Sequence, residues 1–551
     1  MQRLGDGSWV ISASDLAVFT SCPWRLARLA DEKLGKGVSV LAITDPMMDL
    51  VARLGLEHEA RQLDILTSLM DVAELSYEPA DPHDADTWRA TIDRARQETL
   101  DALSSDTGAL FQATLYEEVL PDAPLPIGFQ GFADFIVRQG DVWEIWDSKL
   151  ARSAKDHALI QLAAYADQLE RLGVALAPTV RIVLGDGVHS VHEIQSLRPA
   201  YRALRADVME LIERRVADAD PVAWRNPLYA PCGSKKCPAC SEQIPLHDDL
   251  FQIAGLRRTQ RDKILTGGFD TLRDFSEASR DDVRRRVSGI GAETLEGLHL
   301  QARLQVATQD NPGARPAFEV HSPGVLESIP PPSPGDIFFD FEGDPTYQEF
   351  AAEGSSQGSL SPGDDSVWFG IEYLFGMWGE NLNPDAPEAS FLPLWAESFD
   401  EERAVLESFL ALLEARFLAF PDMHVYHYAP YERTRLNAMA KRHRIDSPTL
   451  QALLDRHLVD LYPIVTKSLT LGLPSYGLKA LEALYFDPDT RSGIAGGGES
   501  VVAFSDYKRA KAEGDADAAQ LLKDSILDYN RIDCLSTKAL RDWLITAALG
   551  R

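Results

Sequence analysis

The sequence predicts an α/β chain of several domains, and three observations carry that prediction. Apolar strand-like runs are interrupted by acidic residues at two separate places, in Gly128–Leu169 and again in DIFFDFEGDP at 336–345. Both runs are followed by stretches with helical periodicity. Between them, residues 311–335 (NPGARPAFEVHSPGVLESIPPPSPG) are rich in Pro, Gly and Ser and read as a linker. At roughly 100–200 residues per domain, 551 residues suggest about three domains. The expected boundaries are 1–245, a helical module at 246–310, the linker at 311–335, and a last domain at 336–551.

Composition narrows the class. Apolar residues make up 45% and charged residues 25%, ordinary values for a globular protein. No basic N-terminal segment leads into an apolar core, so no signal peptide is expected. No apolar run approaches the roughly 18 residues of a membrane helix, so a cytoplasmic protein without a membrane partner is expected. The net charge of −31 opposes nucleic-acid binding, which draws affinity from Lys and Arg against phosphate. A local basic groove outweighs that total, and the expectation is weak, salt-sensitive binding.

In chain order, residues 11–30 read as helical, with Ser12 or Ser14 as cap and a break at Cys22-Pro23. Residues 47–70 read as a longer helix and 71–108 as mostly helical. Phe132, Asp134 and Ile136 then share a strand face, Gln139-Gly140-Asp141 forms a hairpin turn, and Trp143, Ile145, Asp147 and Lys149 share the next face. An unpaired buried charge is costly, so acids on such faces are paired or bind a metal. Two acids from neighbouring strands can hold a divalent ion, and a lysine two residues after the second can orient or deprotonate its water. The following helix carries Gln161 and Tyr165 on one side, four residues apart. Two more strands (PTVRIVLG, VHSVHEIQS) and an Arg-rich helix at 198–218 complete this part.

Five cysteines are present, and three of them, Cys232, Cys237 and Cys240, form C-x4-C-x2-C. Clustered cysteines in a cytosolic chain point to a metal rather than to disulfides. His247 or the distant Cys22 would complete four ligands, and four thiolates suit either zinc or an iron–sulfur cluster.

The order Asp134, hairpin, Asp147-x-Lys149 and Gln161-x3-Tyr165 resembles the RecB/AddB-like PD-(D/E)XK nucleases. The resemblance implies a restriction-endonuclease-like fold in which Asp134 and Asp147 hold Mg2+ or Mn2+. Lys149 is then catalytic, and Gln161 and Tyr165 contact DNA or order the site. It also implies one further ligand from an early helix, His58 in GLEHEARQ, with Glu59 the neighbouring alternative. Members place one cysteine ahead of the fold and three after it around a [4Fe–4S] cluster. That implies Cys22, Cys232, Cys237 and Cys240 as cluster ligands, with Zn2+ as the alternative.

Residues 250–308 read as two short helix–turn–helix units. Val287-Ser288-Gly289-Ile290-Gly291 resembles the hairpin of a helix-hairpin-helix module. Gly289 and Gly291 let the backbone approach a phosphate, and Arg284, Arg285 and Arg286 lie in the most basic part of the chain. In the last domain, Phe338, Asp340 and Glu342 share a strand face, and Tyr529 and Asp533 share a helix face. Acids from a first strand, a middle helix and a late helix can hold two metals that clamp an in-line displacement. This set resembles the tyrosine-bearing DEDD exonucleases of the RNase H-like fold. The resemblance implies Asp340, Glu342 and Asp533 as ligands and Tyr529 as the residue that positions water. Glu432 stands where the family pattern has Asp, and Asp460 is the poorer candidate. Cys534 reads as a small buried residue.

The whole layout resembles bacterial RecB-like nucleases that join these two domains. It implies a DNA nuclease of repair, recombination or DNA processing, acting on single strands or ends, with a second 3′-to-5′ exonuclease site. A helicase partner is compatible with it, since this chain holds no G-x4-G-K-[ST]. The competing readings are a nucleic-acid-binding scaffold with an inactive DEDD domain and an RNA-trimming exoribonuclease.

Overall fold

The computed structural model describes residues 1–41, 45–350, 367–382, 388–487, 491 and 493–546. The chain divides into two compact units, one ending at Ile244 and the other beginning at Pro245.

The first unit is built on a mixed sheet. Its strands are β1 (Gln2–Arg3), β2 (Trp9–Ile11), β3 (Val72–Glu74), β4 (Ala109–Glu117), β5 (Ile127–Gln139), β6 (Val142–Lys149), β7 (Leu176–Leu184) and β8 (His189–Glu193). The path runs β1-β2-β5-β6-β7-β8, with β4 also on β5 and β3 on β4. β5 and β6 form the antiparallel hairpin that the sequence predicts, in a register pairing Phe135 with Trp146. β6 and β7 run parallel, as a crossover through a helix requires. The helices are α1 (Ala13–Ser21), α2 (Pro23–Lys33), α3 (Pro46–Leu69), α4 (Ala85–Leu103), α5 (Asp156–Arg171), α6 (Ile194–Ala217) and α7 (Pro238–Leu246), which spans the boundary between the units.

Local chemistry fixes the ends of the first helices. Ser12 and Asp15 form a capping box on α1. Cys22 ends α1 and caps α2, with Pro23 at the first helical position. α3 buries Leu50, His58, Gln62 and Leu66, a stripe near four-residue spacing. Leu66 packs with Ala109, Phe135, Val137, Trp146 and Val183 of the sheet.

The second unit opens with the short helices α8 (Arg258–Thr266), α9 (Leu272–Glu277) and α10 (Arg280–Arg286) and the longer α11 (Ala292–Gln309). They share a core that includes Ile264, Phe269, Phe275, Val283 and Leu295. The stretch expected as a linker is instead partly built into this unit. Phe318–Val320 forms β9, α12 follows at Pro323–Leu326, and Leu326 and Ile329 are buried. Apolar residues spaced among the prolines supply that contact, which composition alone conceals.

The main sheet of this unit contains β10 (Ile337–Phe350), β11 (Val367–Gly379), β12 (Ser390–Trp395), β13 (Val425–His427) and β14 (Leu458–Asp460), in the order β12-β11-β10-β13-β14. β10 runs antiparallel to β11 and parallel to β13. β15 (Leu469–Leu471) pairs β9 separately. The remaining helices are α13 (Phe399–Ala419), α14 (Tyr431–His443), α15 (Pro448–Ala452), α16 (Leu461–Ser468), α17 (Leu478–Tyr485), α18 (Gly497–Glu513) and α19 (Ala516–Thr546). β10 runs on past the acids to Phe350, through residues whose polar sequence reads as the start of a loop, and residues 351–366 lie outside the described residues. Its odd-numbered Phe339 and Phe341 pack with Phe409 and Leu436 of α13 and α14. Its even-numbered Phe338 packs with Leu461, Leu540 and Trp543 of α16 and α19. Asp340 and Glu342 share the parity of Phe338, so they belong to the face that α19 covers.

Candidate active sites

The β5–β6 hairpin brings Asp134, Asp147 and Lys149 together. Asp147 is 1% exposed, and Lys149 Nζ donates to its Oδ1 at 2.7 Å. Asp134 Oδ2 lies 3.9 Å from Lys149 Nζ and accepts from the Ser148 backbone N–H at 2.8 Å. Gln161 Nε2 on α5 donates to Asp147 Oδ1 at 3.2 Å. Asp147 Oδ2 is buried and has no hydrogen-bond partner, an unmet acceptor that a cation would satisfy. Burial and the Asp134 charge push the Asp147 carboxyl up to about 7. Burial would lower the Lys149 pKa, but Asp147 and Asp134 outweigh it and hold the ammonium charged. Tyr165 is buried, and burial with the two aspartates raises its pKa, so it stays a phenol. Gly131 is required beneath it, because a Cβ there would lie 2.4 Å from Tyr165 Cε1.

His58 and Glu59 separate. His58 belongs to the buried stripe of α3, and its Nε2 lies 3.3 Å from the Val183 carbonyl oxygen. Glu59 accepts from Gln112 and is close enough to Asp134 and Lys149 for their charges to act on it. Glu59 is thus the member of the pair associated with the acids. Gln112 was not foreseen, since its backbone sits in the left-handed region in mid-strand (φ 57°).

The four thiols Cys22, Cys232, Cys237 and Cys240 converge, all within 4.8 Å of one another. Their number and order fit an AddB-like iron–sulfur site. Cys240 Sγ lies 3.7 Å from both Cys22 Sγ and Cys232 Sγ. In a zinc tetrahedron with bonds of about 2.3 Å, sulfurs are about 3.8 Å apart, whereas a cubane cluster holds them wider.

In the second unit, ligand atoms of Asp340, Glu342 and Asp533 lie within 4.8 Å of one another. β10 supplies the first two and α19 the third. Burial, with Asp533 and Glu342 beside it, raises the Asp340 carboxyl strongly, and burial with Asp533 pushes Glu342 up to about 8. Asn530 Nδ2 donates to Asp340 Oδ2 at 2.8 Å. Gly376, opposite Asp340 on β11, makes room for it, since a Cβ there would lie 1.5 Å from Asn530 Oδ1. Tyr529 remains a phenol under burial and the three acids, and Lys479 Nζ donates to its oxygen at 2.8 Å. Arg491 donates to Asp533 and, through Nε at 2.7 Å, to Glu482. Glu432 stands apart from the three acids, accepting from His427 Nδ1 at 2.8 Å. Asp460 is engaged by the backbone N–H groups of Ala429 and Tyr462, each at 2.9 Å. Cys534 is fully buried. Asn530, Lys479 and Arg491 were not singled out from sequence. Asn530 follows Tyr529 and Lys479 lies in SYGLKAL, but only long-range contact gives them meaning.

In the helical module, Gly289 adopts φ 77° and Gly291 caps α11. Arg286 donates to the Gly267 and Gly268 carbonyls at 2.8 and 2.7 Å and stacks on Phe269, so it ties the module together. Arg284 pairs with Glu296 and Arg285 with Asp282, both at the surface.

Residues 10–243 match the PD-(D/E)XK nuclease superfamily, and residues 369–545 match the RNase H superfamily. A search of curated proteins finds no match. Among the described residues, no helix is long and apolar enough to cross a membrane.

Proposed function

We propose that this chain, a PD-(D/E)XK nuclease domain joined to an RNase H-like domain, is a two-site, metal-dependent DNA nuclease. The N-terminal site cleaves single strands or ends, and the C-terminal site trims 3′ to 5′. The observation that carries the reading is the unpartnered, buried Asp147 oxygen beside a charged lysine, which fits a missing cation rather than a structural ion pair.

A divalent ion of the Mg2+ or Mn2+ class, which takes oxygen donors, would supply an activated water and offset phosphate charge. Asp134 and Asp147 would hold it, with Glu59 as the further acid in place of His58. Lys149 is held protonated by both aspartates, so it faces substrate as an electrophile that stabilises charge developing on phosphate. Gln161 orients Asp147, and the phenol of Tyr165 serves as a neutral donor. In the second site, Asp340, Glu342 and Asp533 form the oxygen donor set, and Tyr529 is positioned by Lys479. Gly289, Gly291, Arg284 and Arg285 offer the phosphate contact of the helical module, and Arg286 supports its shape.

The test is digestion of 5′- and 3′-labelled single-stranded and duplex DNA by the full chain in Mg2+ and Mn2+. Asp147→Asn should remove one activity and Asp340→Asn the other. Cleavage unchanged in both variants would sink the assignment. Matched RNA as competitor separates the RNA-trimming reading, because the 2′-hydroxyl tells the two apart. Binding without turnover would instead make the protein a scaffold.

For the four thiolates we propose a [4Fe–4S] cluster, on the resemblance of the cysteine arrangement. The 3.7 Å sulfur spacing favours a second reading, one Zn2+. Anaerobic purification decides between them: a brown, iron-containing protein supports the cluster, and a colourless one with a single zinc supports the ion.

A further inference from the structure

The helical module and the segment leading to the C-terminal acids are joined by two buried amides that the mechanism above does not use. Gln301 and Gln305 lie four residues apart on α11, so they share a face, at 4% and 3% exposure. Apolar side chains would serve packing alone, since a buried amide costs free energy unless its polar atoms are paired. Here each polar atom of both amides has a partner. Gln305 accepts from the Ala254 N–H and donates to the Gln252 carbonyl, each at 2.9 Å, which ties α11 to the start of the module. Gln301 Nε2 donates to Gln305 Oε1 at 3.0 Å and to the carbonyls of Leu471 at 2.5 Å and Leu473 at 3.2 Å. Gln301 Oε1 accepts from the Tyr476 hydroxyl at 2.9 Å.

One side chain therefore grips both ends of the turn that leads from β15 to α17. The Leu471 N–H closes that turn by donating to the Tyr476 hydroxyl oxygen at 3.2 Å, and the Tyr428 hydroxyl donates to the Tyr476 carbonyl. The backbones also touch: a Cβ on Gly472 would lie 2.5 Å from the Leu304 carbonyl oxygen and 2.2 Å from Thr308 Oγ1. Gly477 caps α17 without a side chain, so the placement of the first turn depends on the residues before it. Lys479 lies in that turn, three positions after Tyr476. Its Nζ reaches the Tyr529 oxygen at 2.8 Å and stands 4.3 Å from the ring centroid. Glu482, one turn further, accepts from Arg491, which also holds Asp533. α17 thus turns two residues toward the acid site, and its entry is held by the module. A buried polar network with every member satisfied specifies one arrangement of the elements it joins.

We propose that Gln301 is a positioning residue for 3′ trimming: through Tyr476 and the start of α17, the helical module sets Lys479 against Tyr529. The proposal rests on reading the C-terminal acids as a nuclease site.

The test is 3′ trimming by the full-length chain in an Asp147→Asn background, which silences the N-terminal site, with kcat and KM measured separately. Gln301→Met keeps the length of the side chain and drops the amide. It should lower kcat by about 10–100-fold, as a misplacement of about 1 Å at a reacting centre does, and change KM little. Lys479→Met should also lower kcat, and adding Gln301→Met to it should cost little more, because residues that act through one another are not additive. Tyr476→Phe removes only a hydroxyl, should behave in the same way, and serves if Gln301→Met does not fold. Unchanged kcat in folded Gln301→Met or in Lys479→Met overturns the proposal. So does the same fold-loss with and without Lys479, which is what a glutamine that merely held the fold would give. A parent with no trimming that Asp340→Asn removes overturns the nuclease reading of the C-terminal acids, and this proposal with it.

Discussion

The two acid sites solve one electrostatic problem in different ways. In the N-terminal unit, Asp134, Asp147 and Lys149 lie within sixteen positions of one another on one hairpin, and the balancing cation is part of the motif. In the C-terminal unit, Asp340 meets Asp533 from the far end of the unit. Its balancing cations, Lys479 and Arg491, come from segments outside the acid-bearing elements. A site written into one hairpin is fixed by register, because a slip of one residue would turn every side chain over. A site assembled from distant segments is fixed by packing, and here α19 must dock on β10 before any cluster exists. The first arrangement should therefore tolerate substitutions elsewhere in its unit better than the second.

The largest expected effects break this comparison into its halves. Lys149→Met should lower N-terminal cleavage by about 10²–10⁴-fold, as for loss of a proton-handling or charge-stabilising group, and leave 3′ trimming intact. Asp533→Asn should do the reverse. Rate assays on substrates blocked at one end separate the two, and a variant that slows both would mean the sites do not work independently.

The next effect is on pH dependence. Asp147 is raised to about 7 from 3.8, and Glu342 to about 8 from 4.5. An acid whose pKa is higher in the fold than in the unfolded chain stabilises the fold below its unfolded value, and that contribution is lost as pH rises through the folded value. Metal-free protein should therefore lose stability between about pH 4 and 7 from the first site and up to about 8 from the second. Thermal melts with chelator from pH 5 to 8.5 should show the decline, and Mg2+ should reverse it at the upper end. In Asp147→Asn the decline up to about pH 7 should become shallower while the part due to Glu342 remains, and an unchanged slope would remove Asp147 as a cause.

A smaller effect comes from the glycines under each site. Gly131→Ala should push the Tyr165 ring aside, and Gly376→Ala should displace Asn530, each at a cost of about 1–3 kcal/mol. For units of this size that is a melting shift of roughly 2–4 °C per kcal/mol. Gly376→Ala should also weaken Mn2+ at the C-terminal acids, since Asn530 holds Asp340. The smallest contrast lies in the amides themselves. Asn530→Ala removes a 2.8 Å bond to a carboxylate and Gln161→Ala a 3.2 Å one. Bonds to charged groups are worth about 1.5–3 kcal/mol, so Asn530→Ala should cost about tenfold in rate and Gln161→Ala less. Equal losses would mean that the two amides brace their acids alike.

Local features were readable from the sequence. The hairpin turn, the alternation that puts Asp147 and Lys149 on one face, and the helix break at Cys22-Pro23 each depend on a few adjacent residues. The Phe338–Asp340–Glu342 face follows from the same two-residue period. His58 against Glu59 was not readable, because one position on a helix is a turn of about 100° and the rotation of α3 is set by where Leu66 packs. Neither was the buried role of Leu326 and Ile329, since proline-rich composition signals a linker whether or not its few apolar residues find a core. Asn530 and Lys479 were hidden for a further reason. Each acts on a partner brought near by tertiary packing, and no periodicity encodes that.

The thiol group also bears on how the protein is made. Cys22 and Cys240 are 218 positions apart in the chain yet 3.7 Å apart in the fold. At 5–20 residues per second, a ribosome needs roughly 10–40 s to deliver the second after the first. For that interval the leading helices carry Cys22 without its three partners, and an ion or cluster needing all four thiols could not be held until nearly the whole first unit has emerged. An ion or cluster held by all four thiols would therefore be completed only late in synthesis of the N-terminal nuclease domain.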